Sequence, residues 1–290
     1  MDRAGELRAD SEAIERLWNS ALIIEVGKGR VRSTSEGLTF LTAAEAIGGE
    51  RYFLGVDRDS DQSYFAWASG RVDTEVEDYL TLRELAGGLE PLHLEVTMHA
   101  IALSNWHDSH PHCPKCGAPT RIDLAGAARY CEKDERQHHP RTDAAVIVLV
   151  KDREDRILLG HQPVWPDGRF STFAGFLEPG ETFEQCVARE VFEEAGVKLS
   201  EVKYLGSQPW PFPASVMIAF EAVTDQPDDA RPDGEEITEV KWFSREELKR
   251  AAEDGSLLLP PKVSVARRMI EGWLGATSLD SSKLAGETWR

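Results

Sequence analysis

Apolar positions recur along the 290 residues with two different periods. Helical spacing over Ser11–Ser20 predicts a first helix. Short apolar runs at Ala21–Val26, Arg51–Val56 and Ser63–Ala68, bounded by Gly and Asp clusters, predict small strands. Leu92, Val96, Ile101 and Leu103, with few breakers between them, predict a second helix reaching Trp106. After Pro140 the pattern changes: Ala144–Val150 and Ile157–Gly160 read as strands joined through the polar turn Asp152–Asp155. Thr182–Ala195 reads as a helix with Thr182 as N-cap and Gly196 where helices stop. Strands near Val202–Leu205, Ser215–Val223 and Ile237–Phe243 and helices near Ser244–Glu253 and Val263–Leu274 complete the series. Strands and helices interleave without a regular βαβ repeat, so the expected class is α+β, a mixed sheet packed by helices.

Composition divides the chain into three. Residues 1–105 carry 19 acids and 10 bases, 106–140 carry 5 and 5, and 141–290 carry 27 and 18, which sums to a net charge of −18. The neutral middle holds three of the four cysteines and five of the eight histidines, so we expect an N-terminal domain (1–105), a cysteine module (106–140) and a C-terminal domain (141–290). So strong an acid excess excludes phosphate binding through a broad basic face; a phosphate-bearing ligand here needs a cation. No apolar run is long enough for a bilayer and no signal-peptide pattern is present, so the expected location is the cytoplasm, without membrane contact. Four cysteines are too few for a disulfide scaffold and point to thiols or a metal.

The richest stretch runs from Gly175 to Val197. On a helix Glu190, Glu193 and Glu194 are related by i, i+3 and i+4, so the three carboxylates leave from one side and repel one another. A solvated acidic face is one reading; a hard divalent cation, Mg²⁺ or Mn²⁺, is the other. Arg189 lies eight residues beyond Glu181 and can bridge back to it, fixing the preceding loop to the helix. The spacing G-x5-E-x7-R-E-V-x-E-E-x-G-V, with Gly175, Glu181, Arg189, Glu190, Glu193, Glu194 and Gly196 in place, resembles the Nudix box. The resemblance implies an α/β/α sandwich around a mixed sheet and hydrolysis of a nucleoside diphosphate linked to another moiety. Metal held by Glu190 and Glu194 would offset the charge of the pyrophosphate and activate water, with one of the three glutamates as base.

Eleven residues beyond the box, Ser207-Gln208-Pro209-Trp210-Pro211-Phe212-Pro213-Ala214-Ser215 alternates proline with aromatic residues. Proline fixes φ and removes donors, which predicts a stiff extended segment presenting Trp210 and Phe212 for stacking, or a docking strand for a partner. Box and array together resemble the NADH pyrophosphatase and NAD-capped RNA hydrolase family of Nudix hydrolases. That resemblance implies a substrate loop at 208–215, a further metal carboxylate at Glu236 with Glu239 as the alternative, and the carbonyl of Ala174 in the metal shell. It also implies Phe176 against a substrate ring, backbone contact at Ala266, and contacts from Arg83 and His139. Histidine at 139 departs from the aromatic residue usual in the family.

Cys113-Pro-Lys-Cys116 is half of a zinc knuckle, and Cys131 follows after fourteen residues. The family pattern has a second C-x2-C, whereas this chain reads Cys131-Glu-Lys-Asp134. Zn²⁺ held by Cys113, Cys116, Cys131 and Asp134 is expected, with His138 or His139 as other fourth ligands and a metal-free ribbon as the remaining reading. Cys186, on an apolar stripe with Val187 and Val191, reads as a packing residue.

The resemblance implies metal-dependent hydrolysis of NAD(H) to nicotinamide mononucleotide and AMP, removal of the NAD cap from RNA 5′ ends, and a homodimer. A Nudix hydrolase of ADP-ribose or another dinucleotide is the nearest alternative. A catalytically silent zinc-ribbon interaction protein is the alternative of another class, and the intact carboxylates count against it.

Overall fold

The computed structural model describes residues 1–275 apart from 35, 76–77 and 86, so the end of the expected C-terminal domain, 276–290, lies outside the described residues. The chain forms two compact units, one of residues 1–142 with 211–214, the other of 143–210 with the chain from 215 onward.

The first unit opens with helix α1 (Ser11–Asn19), capped by the Asp10 carboxylate, which accepts from the N–H groups of Glu12 and Ala13. Its seven-stranded sheet contains β1 (Leu22–Gly27), β2 (Arg30–Thr34), β3 (Gly37–Leu38), β4 (Phe40–Leu41), β5 (Glu50–Asp57), β6 (Gln62–Ala68) and β7 (Tyr79–Thr81). The order is β3-β2-β1-β6-β5, with β4 on β1 and β7 on β2. Trp18, Ile23, Phe53, Phe65 and Trp67 form its core. The short helix α2 (Leu82–Leu85) leads to α3 (Pro91–Ser109), which runs past Trp106 before His110 ends it.

The cysteine module is a three-stranded sheet of β8 (Arg121–Asp123), β9 (Ala128–Cys131) and β10 (Arg136–His138), preceded by a turn over Cys113–Gly117. A buried polar chain ties it to the N-terminal sheet. Arg129 donates to Thr120 and to His107 Nδ1, and the His107 ring stacks on Tyr52 at 4.4 Å. Gly126 lies against Tyr52 so closely that a Cβ there would sit 2.8 Å from the ring.

The second unit is a six-stranded mixed sheet: β11 (Asp143–Lys151), β12 (Ile157–His161), β13 (Phe173–Phe176), β14 (Glu201–Trp210), β15 (Ser215–Val223) and β16 (Glu239–Phe243). The order is β14-β15-β11-β12-β16, with β13 also on β11; only β11 and β15 run parallel. Helix α4 (Phe183–Ala195) packs Cys186, Val187 and Val191 on one face, each of the two valines worth roughly 1.5–3 kcal/mol of burial. Helices α5 (Arg245–Glu253) and α6 (Val265–Leu274) cover the other face with Leu248, Ile270 and Trp273. This is the α/β/α sandwich implied by the box.

Strand β13 has no counterpart in the sequence pattern, and β14 and β16 differ from it in extent. Strand β14 continues through Ser207–Trp210, and residues 211–214 turn into β15, so Trp210 and Phe212 sit on a strand end and a turn rather than on one extended segment. The ladder with β15 supplies the pairing that proline alone does not reveal. Strand β16 starts at Glu239 because the Ile237 N–H is taken by the Asp233 carboxylate. Among the described residues no helix is long and apolar enough to cross a membrane.

Candidate active site

The box helix is locked at both ends. Thr182 and Gln185 form a reciprocal capping box, and Gly196 takes the left-handed conformation (φ 72°) that ends the helix. Between these ends Arg189 is a structural fork. Its Nε and Nη2 donate to the two oxygens of Glu181 at 2.6 and 2.9 Å, Nη2 also to the Phe176 carbonyl at 3.0 Å, and Nη1 to Glu190 and Glu193 at 2.9 and 3.0 Å. The Arg189 hydrogen bonds hold the Glu181 carboxyl down at about 2. Loop and helix are thereby fixed as one piece, and Phe176 stays exposed at the loop's start.

The three helix carboxylates do not share one environment. Glu193 is half-exposed and turned to Arg189, Glu190 is largely covered, and Glu194 is 3% exposed. Glu190 lies directly over Gly175: a Cβ at that glycine would fall 1.8 Å from the Glu190 carboxyl carbon. Burial pushes the Glu190 carboxyl up while Arg189 opposes it. Burial first, then the charges of Glu236 and Glu190, push Glu194 up to about 8. The Ala174 N–H hydrogen-bonds to the Glu194 carboxylate, and Glu194 Oε2 is buried with no partner. In an extended strand a residue's N–H and C=O leave on the same side, so the Ala174 carbonyl faces away from β11 with its N–H.

Glu236 lies in the acidic loop that precedes β16. Asp233 accepts the N–H groups of Glu235, Glu236 and Ile237, an Asx-type turn that sets the loop. The charge of Glu236 raises both Glu190 and Glu194, whereas Glu239 is paired opposite His161 in the sheet. Asp233 also adds to the raising of Glu194. The residue types fit a hard divalent cation: several carboxylates, one of them with an orphaned buried oxygen.

Beside β11 and β15 lies an apolar cleft of about 150 Å³ lined by Ile147, Gln208, Trp210, Met217, Pro261 and Ala266. Three of the expected substrate residues thus come together, and Ile147 in the cleft is paired with Ala174. Gln208 does not present a free amide. Its Nε2 donates to the Val263 carbonyl and its Oε1 accepts from the Val265 N–H, both at 2.7 Å, which clamps β14 to the start of α6. Pro209 and Ser215 are ladder residues, with Ser215 opposite Trp210. In the first unit the Arg83 guanidinium lies 4.4 Å over the Phe212 ring, and Asn105 Nδ2 donates to the carbonyls of Pro211 and Pro213. His139 is exposed just past β10.

In the cysteine module the Cys113, Cys116 and Cys131 sulfurs lie within 4.8 Å of one another, and Cys113 also lies within that distance of ligand atoms of Asp134 and His138. Asp134 Oδ1 pairs with Lys115 at 2.7 Å and Oδ2 lies 3.9 Å from Arg136 Nε, whereas Asp134 Oδ2 and His138 Nε2 are buried without a hydrogen-bond partner. Burial opposes it, but the N–H groups of Cys116 and Lys115 and the neighbouring thiols bring Cys113 down to about 7, toward the thiolate a metal needs.

Residues 140–260 match the NUDIX domain, and residues 108–138 match the NADH pyrophosphatase zinc ribbon domain. The NAD-capped RNA hydrolase NudC of Mycobacterium tuberculosis (strain ATCC 25618 / H37Rv) is 37% identical, over 94% of this chain and 92% of that protein. The chain belongs to the NADH pyrophosphatase and NAD-capped RNA hydrolase family of Nudix hydrolases. The human NAD-capped RNA hydrolase NUDT12 is 33% identical over 76% of this chain and 52% of its own length. Among solved structures, a NUDIX hydrolase from Nitrosomonas europaea is 27% identical over 47% of this chain and 78% of that one, with a TM-score of 0.38.

Within this Nudix frame, sequence reading missed the clamp at Gln208 and the turn at Asp233. The Asp-Gly-Glu-Glu run carries a turn signal that finds the second. Nothing local marks the first, whose partner carbonyl is 55 residues away. Methionine at 208 keeps the length but neither donates as an amide nor accepts as a carbonyl. Gln208→Met is expected to lower stability by about 1–3 kcal/mol, the worth of two hydrogen bonds, and to raise KM for a dinucleotide more than it lowers kcat. Unchanged urea midpoint and KM would show the clamp to be idle.

Proposed function

We propose that the chain adds water across the pyrophosphate of NAD(H), releasing nicotinamide mononucleotide and AMP, and cleaves the same bond in NAD-capped RNA, leaving a 5′-monophosphate end. The observation that carries this reading is the Glu194 carboxylate, buried beside β13 with Oε2 unpartnered, on a helix whose Glu190 lies over Gly175, both carboxyls being raised further by the charge of Glu236. Family membership supplies the substrate class.

Glu190, Glu194 and Glu236, with the Ala174 carbonyl, would hold Mg²⁺ or Mn²⁺. A cation bound there lowers the pKa of its water and offsets the pyrophosphate charge. Glu193, half-exposed and held by Arg189, is placed to take a proton at the helix edge. Arg189 and Glu181 keep the loop from Gly175 onward in place, and Trp210 offers a face for the nicotinamide or adenine ring in an apolar-lined cleft. Phe176 covers that ring from the loop, and Ala266 contacts it through its backbone. Arg83 keeps Phe212, in the turn of the substrate loop 208–215, in position, and the exposed His139 ring adds a stacking contact.

The test is product identification: NADH, NAD⁺, ADP-ribose and NAD-capped RNA are incubated with Mg²⁺ or Mn²⁺. Nicotinamide mononucleotide with AMP, and nicotinamide mononucleotide with 5′-monophosphate RNA, are expected. Turnover of ADP-ribose alone would overturn the reading.

The three thiolates and Asp134, whose N–H also donates to Cys131 Sγ at 3.3 Å, would hold Zn²⁺ in the ribbon. Purified protein is then expected to carry one zinc per chain. Asp134→Ala should lose the metal while His138→Ala retains it; the opposite pattern would give the fourth position to His138. A cytoplasmic homodimer completes the proposal, with thiol ligands suited to a reducing compartment and light scattering as the check on assembly.

A further inference from the structure

A groove of about 430 Å³ in the first unit runs beside the turn of the substrate loop, and its lining includes Lys28, Asn105, Asp108, His110, Arg141 and Pro213. Its volume lies within the roughly 300–1,000 Å³ usual for ligand sites. The wall on the loop side is fixed, because Asn105 Nδ2 binds the carbonyls of both Pro211 and Pro213. The floor is the last turn of α3, where the His110 ring lies nearly parallel to Trp106, at 6.1 Å and 27°. The far lip is the two-residue hairpin turn Lys28–Gly29, both residues at positive φ (52° and 72°), which lifts the Lys28 side chain out of the sheet. Lys28 is exposed and has no ion-pair partner among the described residues.

A second cavity of about 460 Å³ shares Lys28 and Asp108 with this groove, and its lining includes Ser69 and Ser104. The Ser104 hydroxyl is buried with no partner. Two cations, Lys28 and Arg141, flank the part next to the substrate loop in a chain of net charge −18. Free NADH ends at its two nucleosides and has no use for a channel leading away from the loop. A capped RNA continues from the 3′ oxygen of the cap adenosine as a chain of phosphodiesters.

We propose that this groove takes the first nucleotides downstream of the cap, with Lys28 and Arg141 on the phosphates. His110 offers a ring for a base, and Asp108 accepts from a 2′-hydroxyl, a hydrogen bond that DNA cannot make. The inference rests on the capped-RNA reading above and deepens it.

The experiment compares wild type, Lys28→Glu and Lys28→Gln on NADH and on a short NAD-capped RNA, across a series of salt concentrations. Lys28 is remote in sequence from the carboxylates and lies on an exposed turn, so NADH kinetics and the thermal midpoint are expected to stay at wild-type values. KM for capped RNA should rise by roughly tenfold in Lys28→Glu at low salt, and the slope of log KM against log salt should fall by about 0.7, the share of a single neutralised phosphate. Lys28→Gln should show the same slope change with a smaller rise. Unchanged KM and slope on capped RNA, or equal losses on NADH, would overturn the groove assignment. A wild type that cleaves NADH but no capped RNA overturns the RNA reading and the groove together; one idle on both overturns the functional reading itself.

Discussion

Replacing Glu194 by glutamine is expected to lower hydrolysis of NADH by roughly 10³-fold or more while leaving the chain folded. The amide fits the same volume and can still accept from the Ala174 N–H, but it carries no charge for a cation. Stability should respond to pH with a definite sign. Burial, then Glu236 and Glu190, raise the Glu194 carboxyl from the usual 4.5 to about 8. A group that holds its proton more tightly folded than unfolded contributes stability that is full below pH 4.5 and is lost as pH rises through 8. Metal-free wild type should therefore soften between pH 5 and 8 in a way that the glutamine variant does not. Divalent cation competes with that proton, so the rise in thermal midpoint on adding Mn²⁺ should be larger at pH 9 than at pH 6 in wild type and nearly absent in the variant. Wild-type turnover in Glu194→Gln, or a metal shift independent of pH, would remove Glu194 from the metal site.

Gly175→Ala carries the second large effect. The added methyl would lie 1.8 Å from the Glu190 carboxyl carbon and 2.0 and 2.2 Å from its oxygens, so the carboxylate must leave its place. Displacement of a reacting group by about 1 Å costs on the order of 10²-fold in rate, and kcat should fall by at least that much. Overpacking of this kind costs typically about 1–3 kcal/mol, toward the low end here because Glu190 can swing toward solvent. The expected signature is a modest loss in urea midpoint with a large loss in kcat and a weakened Mn²⁺ response. A variant with wild-type kcat would mean that Glu190 need not rest on the strand.

These two residues show where sequence is informative. Helix α4 is legible to the residue, because Thr182, Gln185 and Gly196 are local signals with local partners. The i, i+3, i+4 spacing puts three carboxylates on one side, yet their depths differ: Glu194 is covered by β13 while Glu193 reaches solvent and Arg189. Depth is set by what packs across the helix, which a periodicity does not contain. Glycine at 175 is visible as part of a motif, and only the strand-to-helix approach gives it a steric reason. The proline array reads correctly as ordered and wrongly as one extended segment, since the ladder of β14 with β15 is a long-range pairing. Gln208 and Asp233 act on backbone groups, and such partners leave no mark in residue type.

Strand β14 has a further property. It is an edge of the sheet, ten residues long, with Tyr204 and Leu205 exposed, the kind of edge that invites another chain to pair and aggregate. Its ladder is interrupted between Tyr204 and Gly206, and Pro209 has no N–H to offer a neighbouring strand. The proline that helps shape the substrate loop therefore also weakens the edge as a template on which another copy of the chain could stack.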